Sequence, residues 1–227
     1  MTPAPSPLVD RLTQLKIVPV IVIDDPSAAS PLATALVDGG LPCAEVTFRT
    51  AAAGEALRAM SDSSPDLLLG AGTVLSVAQA REARSAGAMF IVAPGFSPAV
   101  VDHCLDHGIP VFPGVCTPTD IEAALAKGLT TVKFFPAEPI GGLKYLKAIA
   151  APYTMMRFIP TGGINADNLR SYLAFDRVIA CGGSWMAPSE WIAGKAFDRI
   201  RDETARAVRT AHGDGVPTQA SAGASRA

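Results

Sequence analysis

The sequence has few of the residues that mark secreted, nucleic-acid-binding or metal-dependent proteins. Its 227 residues include only four cysteines and three histidines, and no two cysteines form a CxxC pair. Widely spaced cysteines of this kind predict free thiols in a reducing compartment, not a disulfide framework or a zinc site. No run of lysine or arginine occurs and the formal net charge is −2, which argues against a nucleic-acid partner.

Long apolar segments are also missing. The longest apolar runs have the length of a strand, whereas a helix that crosses a bilayer needs about 20 apolar residues. No apolar signal core follows a basic region, so we expect a cytoplasmic protein without a membrane partner. With 49% hydrophobic and 18% charged residues, the chain has the composition of a globular protein with one large α/β domain or two small ones.

Both ends of the chain differ in composition from the middle. Residues 1–7 are rich in proline, and residues 211–227 consist mainly of small and polar residues. We expect a flexible amino-terminal segment and a disordered carboxyl-terminal tail around one folded domain at 8–210. Leucines at helical spacing predict an amino-terminal helix between Pro7 and Lys16.

Apolar, β-branched segments alternate with helical segments along this domain. Strands are predicted at 17–23, 43–48, 66–69, 88–93, 109–112, 130–135, 157–160 and 177–180. A helical pattern follows each of them, and the last predicts a single helix at 191–210. This alternation predicts a parallel sheet with right-handed crossovers, either open and doubly wound or closed as a barrel. Because there are eight such units and no GxGxxG follows the first strand, we favour an α/β fold of the (β/α)8 TIM-barrel type.

One lysine interrupts the apolar strand predicted at 130–135. Lys133 is flanked by valine and phenylalanine, and an ammonium group in such a strand costs several kcal/mol unless it is paired or deprotonated. A deprotonated lysine is a nucleophile towards carbonyl carbon. From this segment alone, a lysine that extends past the strand end to solvent is an equally good interpretation.

Side-chain alternation along two strands indicates where this lysine points. Glu45 and Arg49 share one face of their strand, and Lys133 and Phe135 share one face of theirs, while the opposite faces are apolar. If the apolar faces pack on the helices, Glu45 and Lys133 both point into the barrel. A glutamate there can exchange protons with a reacting group. The alternative is a purely structural ion pair of Glu45 with Arg49 or Lys133.

Further candidate residues lie at the predicted strand ends, where (β/α)8 barrels carry their active sites. They are Thr73, Pro94-Gly95, Thr161-Gly162-Gly163 and Gly182-Gly183-Ser184. Two glycine pairs after the last two strands predict a phosphate site, because exposed backbone N–H groups bind phosphate. His103 and His107 have a spacing that could hold a metal, but they lie on a predicted outer helix, so we expect no metal and no cofactor.

Taken together, these segments resemble the 2-keto-3-deoxy-6-phosphogluconate (KDPG) and 4-hydroxy-2-oxoglutarate aldolases, which are class I lyases. The matching segments are VPV at 18–20, EVTFRT at 45–50, GAGTVL at 70–75, PGF at 94–96, PGV at 113–115, TPT at 117–119, VKFFPAE at 132–138, PTGGI at 160–164 and GGSW at 182–185. They run in family order over residues 8–205. One departure is Cys116, which stands where alanine is usual.

The resemblance implies a barrel that assembles as a homotrimer, with Lys133 as the Schiff-base lysine and Glu45 as the proton shuttle. The substrate-binding residues that it implies are Arg49, Thr73, Pro94, Phe135, Thr161, Gly162, Gly163, Gly183 and Ser184. By this match, Arg49 and Thr73 hold the substrate carboxylate and Thr161 orients the sugar-acid chain. The glycine backbone and Ser184 bind the phosphate.

The activity implied is cleavage of KDPG to pyruvate and D-glyceraldehyde 3-phosphate without a cofactor, with a second activity on 4-hydroxy-2-oxoglutarate that yields pyruvate and glyoxylate. One alternative is the related 2-dehydro-3-deoxy-6-phosphogalactonate aldolase, whose substrate differs in one hydroxyl configuration. Thr161 favours the gluconate branch by resemblance. A more distant alternative is a non-catalytic barrel that binds a sugar phosphate.

Overall fold

The computed structural model describes residues 6–213. Its strands are β1 (Ile17–Ile21), β2 (Cys43–Thr47), β3 (Leu68–Gly72), β4 (Phe90–Val92), β5 (Val111–Phe112), β6 (Gly114–Val115), β7 (Thr131–Phe134), β8 (Arg157–Pro160) and β9 (Cys181–Gly183). Its helices are α1 (Pro7–Leu15), α2 (Ala29–Asp38), α3 (Ala53–Ser63), α4 (Val77–Ser85), α5 (Pro98–Asp106), α6 (Pro118–Ala126), α7 (Gly142–Ala150), α8 (Leu169–Leu173), α9 (Ser189–Ala193) and α10 (Phe197–His212), with 3-10 turns at Pro26–Ala28 and Glu138–Ile140. Over these residues, no helix has the length and apolarity needed to cross a membrane.

The strands form two parallel sheets. One has the order β5-β4-β3-β2-β1-β9 and the other has the order β6-β7-β8. Only Pro113 separates β5 from β6, and isolated parallel bridges join Phe158 to Val178 and Thr161 to Gly182. The predicted α/β class with parallel strands is confirmed, and a closed eight-stranded barrel stays a proposal.

Two layers of apolar side chains surround the strands. The outer layer lies between strands and helices and contains Val46, Val132 and Phe134. The inner layer lies on the other strand faces and contains Val18, Cys43, Leu68, Phe90, Val92, Phe112, Ile159 and Ile179. Leu12 of α1 packs into the inner layer and is fully buried. Helix α1 therefore covers the amino-terminal ends of the strands and leaves their carboxyl ends free for a site.

Two strands lie further along the chain than their sequence pattern predicts. β3 covers Leu68–Gly72, not 66–69, and β9 covers Cys181–Gly183, not 177–180. Both corrections move glycines from a predicted turn into a strand. β9 is fixed in this register by its pairing with β1, where Ile17 lies opposite Cys181.

Glycine occupies these strand positions because neighbouring side chains fill the space that a Cβ would need. A methyl group on Gly70 would overlap the ring of Phe90, and one on Gly182 would overlap the hydroxyl of Thr161. Glycine inside a strand is typical of such close approaches. The sequence pattern suggested turns because glycine usually ends a strand.

The carboxyl-terminal region also differs from its prediction. The single helix predicted at 191–210 is wrong, since α9 ends before Gly194, Lys195 adopts a left-handed φ of 54°, and α10 begins two residues later. Helix α10 extends to His212, beyond the predicted domain boundary at residue 210. The rest of the predicted tail, 214–227, and residues 1–5 lie outside the described residues.

We predict that Gly70→Ala lowers the free energy of unfolding by about 1 to 3 kcal/mol, because the added methyl group overpacks the inner layer. Phe90 cannot move away easily, since it is buried and packs edge-on against Phe112 with ring centroids 5.8 Å apart. Urea denaturation measures the change.

The matched control is Gly95→Ala. A Cβ at Gly95 meets no atom within 4 Å, so this variant should stay within about 0.5 kcal/mol of the parent. Equal stability of the two alanine variants would contradict the packing argument.

Candidate active site

Lys133 and Glu45 meet on the inner faces of β7 and β2. Lys133 Nζ lies 3.1 Å from Glu45 Oε1, and the two residues are only 5% and 3% exposed. Val132 and Phe134, on either side of the lysine in β7, are fully buried in the outer layer. Because side chains alternate along a strand, packing these two on the helices turns Lys133 inward. The structure therefore brings together the two residues expected to be catalytic.

The pair can react without isolating a charge in the interior. Transfer of one proton from Lys133 to Glu45 converts the ion pair into a neutral amine and a neutral acid. The amine is then a nucleophile and the acid a proton donor, 3.1 Å apart. The ring of Phe135, whose centroid lies 5.3 Å from Lys133 Nζ, provides a face that attracts the ammonium form.

Neighbouring strands leave Glu45 free to face the lysine. Thr47, the next polar residue on the same face of β2, donates its hydroxyl hydrogen bond to the carbonyl of Ile21 at 2.8 Å. Gly72 in β3 lies beside Glu45, and a Cβ there would come within 2.7 Å of Glu45 Cγ and overlap the carboxylate. Because Gly72 has no side chain, the Glu45 carboxylate can occupy the space beside it.

Arg49 and Thr73 form a second polar group next to this pair. Arg49 Nε donates to Thr73 Oγ1 at 3.3 Å. Thr73 follows β3 directly and has a left-handed φ of 55°, which costs a β-branched residue about 1 to 2 kcal/mol. A guanidinium group binds a carboxylate through two parallel hydrogen bonds, so this corner can hold a carboxylate ligand.

A cavity of about 450 Å³ opens at the carboxyl ends of the strands. Seven of the candidate residues line it, namely Arg49, Phe135, Thr161, Gly162, Gly163, Gly183 and Ser184. The lining does not include the other candidates Lys133, Glu45 and Thr73. Lys133 Nζ lies 5.3 Å from the ring centroid of Phe135, and Thr73 is hydrogen-bonded to Arg49, so each is one side chain away from the cavity. Pro94 lies apart from this lining, with its carbonyl against Gly114 of β6.

Sequence reasoning missed the rest of the lining, which is Val20, Val22, Ile164, Ala187, Pro188, Ser189 and Glu190. Val20 lies in β1 and Val22 directly follows it, while Ala187 and Pro188 precede α9 and Ser189 and Glu190 are its first two residues. One usable signal was Pro188, because proline before a short polar segment often begins a helix, and (β/α)8 barrels often place such a helix after the last strand.

Cys116, singled out above as a departure from the family pattern, lies in a loop before α6 that two hydrogen bonds hold. Its amide donates to Asp120 Oδ2 at 3.0 Å, and its carbonyl accepts from the hydroxyl of Tyr145 at 2.9 Å. Burial and the neighbouring Asp120 raise the pKa of the Cys116 thiol. The side chain is therefore a neutral group and a weak nucleophile near neutral pH.

These features define an α/β protein with a candidate site next to a buried lysine–glutamate pair. A family model described as KDPG and KHG aldolase matches residues 8–202. A relative from Treponema pallidum (strain Nichols), named 2-dehydro-3-deoxy-phosphogluconate aldolase, is 51% identical over 191 residues, or 84% of this chain and 91% of the relative. The KHG/KDPG aldolase of Escherichia coli (strain K12) is 42% identical over 200 residues, covering 88% and 94% of the two chains. The chain belongs to the KDPG/KHG aldolase family.

Solved structures show the same likeness. One is the KDPG aldolase of Legionella pneumophila, captured with pyruvate at low pH as a covalent carbinolamine intermediate. Its TM-score to this chain is 0.85 at 36% identity, and the match covers 89% of this chain and 98% of the Legionella chain. A KDPGal structure has a TM-score of 0.78 at 26% identity and covers 86% and 94%.

We predict that Lys133→Met lowers the free energy of unfolding by about 3 to 5 kcal/mol at neutral pH, because it leaves the Glu45 carboxyl group buried without its partner. The double variant Lys133→Met/Glu45→Gln should lose less, since glutamine brings no charge into the interior. Urea denaturation of both variants and the parent measures the coupling. Glu45→Gln is measured alone as well, and losses of the two single variants that add up in the double variant would show that the two residues are not energetically coupled.

Proposed function

We propose that this chain is a class I aldolase that cleaves 2-dehydro-3-deoxy-6-phosphogluconate to pyruvate and D-glyceraldehyde 3-phosphate. The observation that carries the proposal is the buried contact of Lys133 with Glu45 beside a cavity that has Arg49 on one side and glycine loops on another. Membership of the KDPG/KHG aldolase family supports it, as do the names of the relatives.

In the first half of the reaction, the neutral amine of Lys133 attacks the ketone carbon of the substrate. Glu45 donates a proton to the carbonyl oxygen, which gives a carbinolamine, and loss of water then gives an iminium ion. The iminium withdraws electrons from the carbon–carbon bond two atoms away, so no metal or organic cofactor is needed. Glu45 leaves this half of the reaction able to accept a proton.

In the second half, Glu45 removes the proton of the substrate hydroxyl, directly or through one water. The electron pair of the O–H bond forms the aldehyde carbonyl, the carbon–carbon bond breaks, and its electrons convert the iminium to an enamine. D-glyceraldehyde 3-phosphate leaves. The enamine then takes a proton on carbon, and water hydrolyses the iminium to release pyruvate and restore Lys133.

The cavity offers a place for each end of such a substrate. Arg49 and Thr73 take the carboxylate next to Lys133, while the backbone of Gly162, Gly163 and Gly183 with Ser184 takes the phosphate. Thr161, between them, orients the carbon chain, and Phe135 covers the lysine. Pro94 is assigned to the site by resemblance alone.

Cleavage of 4-hydroxy-2-oxoglutarate to pyruvate and glyoxylate is proposed as a second activity. This reaction uses the same Schiff base at Lys133 and the same carboxylate contact with Arg49. Its substrate has no phosphate group, so the glycine loops are not needed to bind it. The name KHG/KDPG aldolase of the Escherichia coli relative supports this assignment.

The finer architecture is proposed with the function. We propose a closed eight-stranded barrel, which the bridges of Thr161 to Gly182 and of Phe158 to Val178 support, and one aldolase domain over 8–210, which the family match at 8–202 supports. A homotrimer and a cytoplasmic location follow from the resemblance. Leu75 is 61% exposed just beyond β3, an apolar side chain that a subunit interface could cover.

We predict that borohydride reduction in the presence of pyruvate attaches a reduced pyruvate group to Lys133. Peptide mass spectrometry locates the adduct. The matched control is Lys133→Arg, which keeps a positive charge but has no amine that forms a Schiff base, and it should give no adduct. An adduct on another lysine, or none on the parent protein, would remove the proposed nucleophile.

We predict that the protein cleaves the gluconate epimer of the phosphorylated substrate faster than the galactonate epimer, because its identity to the KDPG aldolase structure is higher than to the KDPGal structure. Paired assays of the rate of pyruvate release on the two epimers measure the preference. Faster galactonate cleavage would favour the alternative enzyme. Binding of both epimers without release of pyruvate would favour a non-catalytic sugar-phosphate barrel.

A further inference from the structure

The loop after β8 has two successive amide groups without a protein acceptor in the described part of the chain, those of Gly163 and Ile164, and both residues line the cavity. Gly162 and Gly163 have left-handed φ values of 100° and 81°, and with Ile164 they line the cavity. The amide of Gly162 faces the carbonyl of Gly182 in the parallel bridge of Thr161 with Gly182. Within residues 6–213, no protein group accepts a hydrogen bond from the amides of Gly163 and Ile164. Successive free amides in such a loop form a concave site for an anion.

The carbonyl groups of the same loop are all held from outside the cavity. The amide of Ala137 donates to the carbonyl of Thr161 at 2.8 Å, and the amide of Glu138 donates to the carbonyl of Gly162 at 3.0 Å. Asn168 Nδ2 donates to the carbonyl of Gly163 at 3.0 Å. Because a peptide unit is planar, fixing each carbonyl also fixes the direction of the amide that follows it.

Asn168 differs from the other two donors because it acts through a side chain. Its Oδ1 accepts from the amide of Asn165 at 2.9 Å, which leaves Nδ2 directed at Gly163. The amides of Ala137 and Glu138 can be removed only by substitution with proline, which also constrains the backbone, whereas the Asn168 donor can be removed by a side-chain substitution. Asn168 is therefore the one of these three donors that a side-chain substitution can test separately.

We propose that Asn168 is a positioning residue for the phosphate end of the substrate. It touches no reacting atom and acts by holding the peptide unit between Gly163 and Ile164 so that its amide faces the cavity. The inference rests on the proposed function, in which this loop binds phosphate. Its loss should weaken binding of a phosphorylated ligand and leave the chemistry at Lys133 unchanged.

Two substrates separate this role from a general structural one. For the phosphorylated substrate, Asn168→Ala should raise KM about 5- to 10-fold, the effect of losing one hydrogen bond, with kcat within about twofold. For 4-hydroxy-2-oxoglutarate, which has no phosphate, both constants should stay near those of the parent. Inorganic phosphate should inhibit the variant about 5- to 10-fold more weakly than it inhibits the parent.

Two further variants act as controls. Asn168→Asp keeps the acceptor for the Asn165 amide but loses the donor to Gly163, so it should fold and show at least the same rise in KM. Asn165→Ala removes the contacts of the Asn165 side chain with the amides of Asp167 and Asn168 and keeps the amide that orients Asn168. Its KM for the phosphorylated substrate should change less than that of Asn168→Ala.

The outcomes decide the inference. An unchanged KM for the phosphorylated substrate, or parallel losses on both substrates, would overturn it. An effect confined to Asn168→Asp would also overturn it, because that would be a repulsion by the new charge. If the parent cleaves neither substrate, the proposed function fails, and calorimetric titration with inorganic phosphate then tests the role of Asn168 alone. Weaker phosphate binding by Asn168→Ala than by the parent supports the inference. Equal binding by the two proteins, or no binding by the parent, overturns it.

Discussion

The structure depends on one buried contact, the 3.1 Å approach of Lys133 Nζ to Glu45 Oε1. Neither group is tolerable in this interior without the other, since an unpaired buried charge costs several kcal/mol. The need to keep the two groups paired also constrains the residues around them. It directs the apolar faces of β2 and β7 towards the helices, and it requires a glycine at position 72 beside the carboxylate. The same mutual dependence makes one proton transferable, which is the property that the proposed chemistry uses.

The cavity next to this pair has two ends with different means of attracting an anion. At one end Arg49 offers a full positive charge and a planar pair of donors. At the other end, the amides of Gly163 and Ile164 offer only partial charges. The direction of each amide is set by a hydrogen bond to the carbonyl group of the same peptide unit. In the proposed function, this difference orients the substrate, because each end of the cavity suits a different anionic group.

Alternation along a strand was enough to predict that Lys133 and Glu45 point to the same interior, because that prediction needs only the period of two and the apolar opposite faces. The boundaries of β3 and β9 could not be predicted in the same way. Whether Gly70 or Gly182 ends a strand depends on Phe90 and Thr161, which lie on neighbouring strands. The α9 side of the cavity was missed for a similar reason, since the path of the chain after Ser184 is set by packing and not by local pattern.

Thr73 illustrates a different constraint. Its left-handed backbone would be easier for glycine or asparagine, and both would relieve the conformational cost of a β-branched residue there. Only threonine or serine, however, offers Arg49 a hydroxyl at this point of the chain. Selection for stability and selection for the ligand site therefore favour different residues at one position. A search for more stable versions of this protein would reach position 73 early, and the glycine that it favours there would remove the partner of Arg49.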